Sequence, residues 1–528
     1  MAGKNLSARA LYYMTAQMSA NAVGFITASV LARAFTKGQM GDYQQLMMLY
    51  ALFSGVLIMG LPQSLTYFYA VVEERHRPAT VYFVTGLLFL MGLVLGLATY
   101  AAAPLVANYF KNVRLTSLVR DFFLFYAFTM GGSYLRRLSV VTNRYVFLMF
   151  WLPFDRLLML LSFAVPALLG YSLATTVRVA VVIAGVKFAI TTAYTLYVVP
   201  INRFEWTKGL AGRILYYSIP LGLSSGIGQI SQQIDRLVIG RFMSTEFFAV
   251  FSLGTIPIPI VPEIAESVMT VLIPVLAGLY VEKNCRQFAA IWQESIRKTA
   301  IFILAIFGFV EFFALPCMVL LYGPAYAESA LYFRISQVGL LFKVTMYGAV
   351  LQALGQTRQI FYVFLTIVCV KPFTNIALFK LFEAISPGMG PVGPPIGTVL
   401  AGLLSSAYFV WFIKKSLGVK LKHLWPLSSY LKTLSAATIA GLAASAVLLI
   451  PHPVIVAVLG RISSHFAGKP SFVALVQLAL GAAIFLPSYG LLLHAFGALK
   501  GKDWELLKDM TYRKLSGRRK VVLEKTPS

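Results

Sequence analysis

Stretches of about 20 apolar residues recur along this 528-residue chain, from Leu11 almost to Phe496. An α-helix needs a stretch of that length to cross the hydrocarbon core of a bilayer. Hydrophobic residues make up 59% of the sequence and charged residues 12%, whereas about a quarter of the residues in a soluble domain are charged. Most of the chain therefore lies in lipid, and the stretches are too long for the strands of a membrane β-barrel. The sequence predicts an all-α integral membrane protein.

The apolar stretches define fourteen candidate transmembrane helices. Inside hydrocarbon every backbone polar group needs an internal hydrogen-bond partner, and a helix supplies one. The spans are expected near residues 10–32, 43–71, 80–103, 119–141, 145–170, 174–199, 212–242, 247–280, 297–322, 330–354, 358–382, 393–414, 431–450 and 472–497.

Lys and Arg residues are concentrated in alternate connecting segments and in both termini. Such segments face the cytoplasm, so the sequence predicts a multi-pass protein with both termini cytoplasmic. The first span is too long for the core of a cleaved signal peptide and is expected to be a signal anchor. The net charge of +26 then reflects topology and an affinity for anionic membrane lipids, and it does not indicate nucleic-acid binding.

Several classes of chemistry are excluded or disfavoured. Cys285, Cys317 and Cys369 lie far apart, so neither a disulfide framework nor a metal site is expected. The chain lacks a GxxxxGK(S/T) loop, which excludes ATP hydrolysis within it. The longest predicted outer loop, residues 451–471, contains no Asp or Glu that could act in catalysis. We therefore expect no enzyme, and neither catalytic residues nor a cofactor.

Short repeated motifs indicate an internal duplication of a unit of about six spans. Arg9-Ala-Leu-Tyr-Tyr13 opens span 1 and Arg213-Ile-Leu-Tyr-Tyr217 opens span 7, while Leu31-Ala-Arg33 and Ile239-Gly-Arg241 close the same two spans. Repeats of this kind are common in secondary transporters, where two similar lobes face one central cavity. The predicted organisation is an N-terminal lobe at 1–205, a C-terminal lobe at 206–420, two extra helices within 421–499, and a basic cytoplasmic tail at 500–528.

Prolines inside spans are expected to bend or break helices. Pro257, Pro259 and Pro262 fall within six residues of span 8, and this makes span 8 the best candidate for a moving element. Pro153 and Pro166 in span 5 and Pro372 in span 11 are each expected to remove a backbone hydrogen bond and bend their helix. For a single proline the favoured interpretation is a static kink required by packing.

Several short motifs are distributed along the spans and their connections. They are Leu31-Ala-Arg33, Gly41-Asp-Tyr43, Leu61-Pro-Gln63, Ser224-Ser-Gly-Ile-Gly228, Ile234-Asp-Arg236, Ile239-Gly-Arg241, Ala353-Leu-Gly-Gln-Thr357-Arg358, Gly393 and Gly397. Together they resemble the motifs of the bacterial polysaccharide and O-antigen flippases, which share a superfamily with lipid II flippases and multidrug and toxin extrusion transporters. The resemblance covers nearly the whole chain.

This resemblance implies a fourteen-helix fold in the bacterial inner membrane. It also implies a cargo, a polyprenyl-diphosphate-linked oligosaccharide moved from the cytoplasmic to the outer leaflet for cell-surface polysaccharide biosynthesis. Other membrane proteins of polysaccharide assembly are candidate partners.

Charges within the spans are candidate site residues, because a charge at the bilayer centre costs at least about 2.5 kcal/mol. A diphosphate requires Arg or Lys donors, and sugars are commonly held by amides. The candidate substrate-binding residues are Arg156, Lys187, Arg236, Lys343, Lys371, Gln229 and Gln233. Two alternatives stay open, in which Lys343 or Lys371 merely neutralises Glu311 and Asp155 merely holds Arg156.

Glu263 and Glu266 are candidate ion-coupling residues. They are three residues apart and so lie on one face of span 8, just past its prolines. Two neighbouring carboxylates can bind a proton or coordinate Na⁺, with Asp235 of span 7 as a third ligand. The alternative is a structural role in which Arg236 or a backbone donor satisfies one acid.

Two other functions compete with a flippase. A drug exporter of the same fold would require an acidic cavity for cationic substrates. The acids of the second lobe keep this alternative open, whereas the basic excess of the first lobe argues against it. A membrane glycosyltransferase or polymerase is disfavoured because the outer loops lack acidic residues.

Overall fold

The computed structural model describes residues 2–498, apart from Met59, 202–204, Thr207, 421–423 and all of 452–468 except Pro453 and Val456. The predicted basic tail at 500–528 lies outside the described residues. We refer to the chain before and after the gap at 202–204 as the N-terminal half and the C-terminal half.

The described residues of the N-terminal half form nine α-helices. They are α1 (Ala2–Ala34), α2 (Lys37–Leu57), α3 (Leu61–Val71), α4 (Arg77–Tyr109), α5 (Arg114–Asp121), α6 (Phe123–Gly132), α7 (Leu135–Val141), α8 (Tyr145–Leu168) and α9 (Leu173–Val198).

The described part of the C-terminal half contains twelve more. They are α10 (Leu210–Phe242), α11 (Thr245–Gly254), α12 (Ile260–Val281), α13 (Cys285–Phe312), α14 (Ala314–Tyr322), α15 (Ser329–Gln337), α16 (Leu340–Lys343), α17 (Tyr347–Ala353), α18 (Thr357–Ile385), α19 (Gly393–Leu417), α20 (Leu427–Ser445) and α21 (Pro470–Ala495).

The protein is an all-helical membrane bundle, as predicted. Nine helical segments of the described chain are long and apolar enough to cross a bilayer, or ten if α13 and α14, bent by 81°, count as one. Each predicted span coincides with a helix or a run of helices, but the count of fourteen is not confirmed. Helices α1 and α10 are not among the nine, and predicted spans 4 and 10 are divided into short helices.

The first helix of each half has matching bounds, and so does the start of the second helix. Helices α1 and α10 are both 33 residues long, and Ala34 and Phe242, their last residues, are 208 positions apart. Thr36 and Ser244, at the same offset, cap the next helix through their side chains. We call the end of the bundle that holds these two turns the predicted outer end, because the charge pattern predicts that it faces outward.

Predicted span 8 is broken, as its prolines indicate. Residues 255–259, which include Pro257 and Pro259, are not helical, and α12 begins at Ile260. Spans 5 and 11 are not divided at their prolines, because α8 continues through Pro153 and Pro166 and α18 through Pro372. A membrane helix tolerates a proline when neighbouring groups satisfy the freed backbone.

The apolar cores are distributed unevenly between the halves. One cluster of buried residues joins both halves at the predicted outer end and includes Phe110, Ile239 and Phe248. Another lies within the C-terminal half around Trp292 and Phe485. Apolar packing therefore connects the two halves extensively at the predicted outer end, and a smaller buried cluster that includes Leu65 of α3 and Ile214 of α10 also joins them.

Candidate functional site

Two arginines cross between the halves at the predicted outer end. Arg33 of α1 donates to the Leu320 carbonyl in the last turn of α14 and, at 3.1 Å, to the Ser29 hydroxyl. Arg241 of α10 donates to the Tyr109 carbonyl, 3.0 Å away at the end of α4. Each arginine thus satisfies carbonyls at the C-terminus of a helix in the opposite half, where a cation is also favoured by the helix dipole.

Glycines allow the backbones of the halves to touch beside these arginines. A Cβ at Gly41 would lie 2.7 Å from the Thr245 carbonyl carbon, closer than real Cβ contacts. A Cβ at Gly240 would lie 2.5 Å from the Phe110 ring. No side chain larger than hydrogen fits at either position, so the predicted outer end is closed by direct contact of α2 with α11 and of α10 with the end of α4.

A long seam runs along α10, where α2 and α3 pack against it. A Cβ at Gly55 would lie 2.9 Å from Cβ of Gln229, so this predicted substrate-binding residue packs on α2. Tyr67 and Tyr217 stack at 4.9 Å near the other end of the seam. Gln233, the second predicted amide, is buried, and its Oε1 atom lacks a partner among the described residues.

Among the described side chains, a hydrogen bond between Asn21 and Glu263 links helices α1 and α12. Asn21 Nδ2 donates to Glu263 Oε1 over 2.8 Å, and Gln17 donates to Asn21. Glu263 is half-buried, whereas Glu266 is exposed. The first of the two predicted ion-coupling carboxylates therefore bridges the halves directly.

Asp235 lies in a buried network with Lys371. The Lys371 ammonium is 2.9 Å from Asp235 Oδ1 and also donates to the Ser231 carbonyl. Asn375 and Thr398 each donate to the Asp235 carboxylate over 2.6 Å. Asp235 was predicted to be a third ligand of the coupling cation. In the structure the Lys371 ammonium supplies the positive charge beside it.

Of the two predicted cations in the N-terminal half, Lys187 is paired and Arg156 is exposed. Lys187 is 2.5 Å from Asp155, so Asp155 holds Lys187 and not Arg156. Arg156 is exposed on α8. In a membrane helix an exposed guanidinium requires water, because hydrocarbon would impose a large cost on it.

Lys343 and Arg236 complete the predicted set in the C-terminal half. Lys343 is exposed at the end of α16, while Arg236 is half-buried and donates weakly to the Ser252 carbonyl at 3.4 Å. The alternative in which Lys371 neutralises Glu311 is wrong, because Lys371 pairs with Asp235. Oε2 of Glu311 is buried without a hydrogen-bond partner among the described residues.

The polysaccharide biosynthesis protein family model matches residues 6–279, just over half of the chain. The chain belongs to this family. No curated protein matches the chain significantly in sequence.

Solved structures establish the fold that this family member adopts. A structure described as lipid II flippase MurJ in an inward closed conformation aligns with a TM-score of 0.67 and 14% identity, and the alignment covers 92% of this chain and 99% of that one. An inward-facing multidrug resistance transporter of the MATE family aligns with a TM-score of 0.56 and 14% identity, over 76% of this chain and 96% of that one. A MATE protein in a straight conformation gives 0.54 and 14%, over 79% and 96%. The bundle therefore has the fold that MurJ and MATE transporters share.

Two residues of the Asp235 network, Asn375 and Thr398, are not among the predicted site residues. Asn375 is fully buried and Thr398 is exposed, yet both bind the same carboxylate. The sequence could have indicated them, because an amide and a hydroxyl lie within the apolar spans 11 and 12. Asn375 is also close in sequence to the embedded Lys371.

Proposed function

We propose that this protein translocates a polyprenyl-diphosphate-linked oligosaccharide across the bacterial inner membrane for cell-surface polysaccharide biosynthesis. The observation that carries the proposal is the exposure of Arg156 and Lys343 within membrane-embedded helices, with no ion-pair partner for either among the described residues. Uncompensated cations in a water-filled space attract a diphosphate, which provides several acceptor oxygens. Lys187 and Lys371, by contrast, are already paired and are assigned a structural role.

The arrangement of the halves supports alternating access. We assign residues 1–205 and 206–420 to two lobes that rock against each other, with both termini in the cytoplasm. The arginine and glycine contacts close the outer end in this conformation. Substrate then enters from the cytoplasmic side, and release outward requires these contacts to break.

Glu263 is the proposed coupling residue, with exposed Glu266 beside it. Its hydrogen bond to Asn21 connects the two lobes, so binding of H⁺ or Na⁺ at Glu263 changes a contact between them. Asp235 is a weaker candidate, because its carboxylate is already held by an ammonium, an amide and a hydroxyl.

A strain that lacks this protein tests the proposal. Lipid-linked oligosaccharide should accumulate on the cytoplasmic side, the wild-type chain should reverse the accumulation, and Arg156→Ala and Lys343→Ala should not. Arg178→Ala is the matched control, because Arg178 is an exposed arginine paired with Asp121 at 2.9 Å. Membrane levels of each variant are measured in parallel.

The second candidate is export of cationic drugs, which the exposed Glu266 and the fold shared with MATE transporters favour. The same strain distinguishes the two functions. Normal surface glycan together with reduced efflux of a cationic dye would overturn the flippase proposal and support the exporter.

A further inference from the structure

The segment that carries Lys343 is an interrupted helix. Helix α16 has four residues and ends at Lys343, and α17 begins at Tyr347. Met346, between them, has φ 48° and ψ 43°, a left-handed conformation that is unfavourable for a residue with a side chain. Such a conformation persists only when the surroundings hold it, and it is often found at functional sites.

Two buried side chains from other helices hold this interruption. Trp292 of α13 donates its indole N–H to the Thr345 carbonyl at 2.9 Å, and the Tyr430 hydroxyl of α20 donates to the Leu341 carbonyl at 3.0 Å. The Trp292 ring also makes an edge contact with Tyr347. The donors therefore bracket Lys343, one bonding two residues before it and the other two residues after it.

Lys343 itself is exposed, although residues on both sides of it are buried or half-buried. An irregular backbone at membrane depth is tolerated where it is buried in protein, and residues 344–347 of this segment are buried. Its carbonyls bond to protein donors while its one charged side chain remains accessible.

We infer that Tyr430 and Trp292 are positioning residues that hold the 340–347 segment so that Lys343 presents its ammonium to a diphosphate ligand. The inference rests on the proposed function for the role of Lys343. It also gives α20, which follows the two predicted six-helix lobes, a part in substrate binding without direct contact.

Labelling of a cysteine at position 343 tests the positioning without any substrate. In a chain whose three cysteines are replaced by serine, Lys343→Cys is labelled with a water-soluble methanethiosulfonate. Tyr430→Phe should change the labelling rate about fivefold, as expected for the loss of one hydrogen bond that biases a conformation. Tyr489→Phe is the matched control, because Tyr489 is also buried and donates to a carbonyl, that of Ile301, at 2.8 Å.

Equal rates in both tyrosine variants would overturn the positioning role. If Tyr430→Phe is poorly produced, the test uses Trp292→Phe in its place, because this variant removes the other hydrogen bond.

A transport assay separates the two proposals. Tyr430→Phe should reduce glycan flipping when Lys343 is present, and it should add no defect to Lys343→Ala. A changed labelling rate with unchanged flipping would overturn the ligand role of Lys343, whereas an unchanged rate with a defective Lys343→Ala would overturn only the positioning.

Discussion

Arg33 and Arg241 occupy equivalent positions in the two halves, and each donates hydrogen bonds to the last carbonyls of a helix in the half opposite its own. The same short motif ending in arginine thus appears twice in the sequence and makes the same contact twice in the structure. The two contacts are reciprocal, so neither half can move away from the predicted outer end without breaking both.

Removing these arginines is expected to loosen the closed end. A hydrogen bond to a charged group contributes about 1.5–3 kcal/mol, so Arg33→Ala and Arg241→Ala should each increase opening about tenfold or more. Hydrogen–deuterium exchange of peptides covering residues 105–115 and 237–248 measures this change. Arg178→Ala, an exposed arginine paired within its own half, should leave these peptides unchanged, and equal exchange in all three variants would contradict the prediction.

Gly41→Ala is expected to disrupt the contact between α2 and α11 that closes the predicted outer end. The added methyl group overlaps the Thr245 carbonyl, and overpacking of this kind costs about 1–3 kcal/mol. A lower unfolding temperature in detergent and loss of flipping are the expected results. Gly24→Ala is the control, since a Cβ there meets nothing within 4 Å and should be neutral.

The Asp235–Lys371 pair is expected to behave as a unit. Lys371→Met leaves a buried carboxylate without its counter-charge, at a cost of about 3–5 kcal/mol. The double variant Asp235→Leu with Lys371→Met should recover much of this loss, because it removes both charges. Thermal unfolding of the two single variants and the double variant provides the measurement, and a double variant as unstable as Lys371→Met would refute the coupling.

Glu263→Gln is expected to remove the charge of this side chain while keeping its hydrogen bond to Asn21. The glutamine keeps an oxygen that accepts from Asn21, so folding should be unaffected while dependence of transport on the ion gradient is lost. Glu263→Ala should lose both the hydrogen bond to Asn21 and the gradient dependence of transport. Flipping with and without a protonophore or a Na⁺ gradient measures the effect, and Glu282→Gln, at the exposed end of the same helix, is the control. Gradient dependence that survives Glu263→Gln and Glu266→Gln together would remove the assignment.

The fold was predictable from the sequence because long apolar stretches have one physical solution in lipid. The broken span 8 was also predictable, since Pro257 and Pro259 leave backbone carbonyls without donors. The break at Met346 was not, because nothing in the local sequence marks it. It depends on Trp292 and Tyr430, which are distant in sequence and meet the segment only in the folded bundle.

Charge pairing was the least predictable part of the candidate site. Asp155 is adjacent in sequence to Arg156, yet its partner is Lys187 on the next helix. Lys371 and Asp235 are 136 positions apart and are joined only because α10 and α18 pack together. Sequence identifies which charges are embedded, but the packing of helices determines which of them remain uncompensated.

The seam between α10 and the α2–α3 pair is far more extensive than the contact between α1 and α12 among the described residues, although the duplication relates the two pairs. The halves are therefore joined extensively along α10, whereas a side-chain hydrogen bond from Asn21 to Glu263 links α1 to α12. For the proposed lipid-linked cargo this asymmetry has a practical consequence. The sugar head would pass along the interior while the hydrocarbon tail stays in the bilayer, so the length of the carrier would not need to match any dimension of the protein.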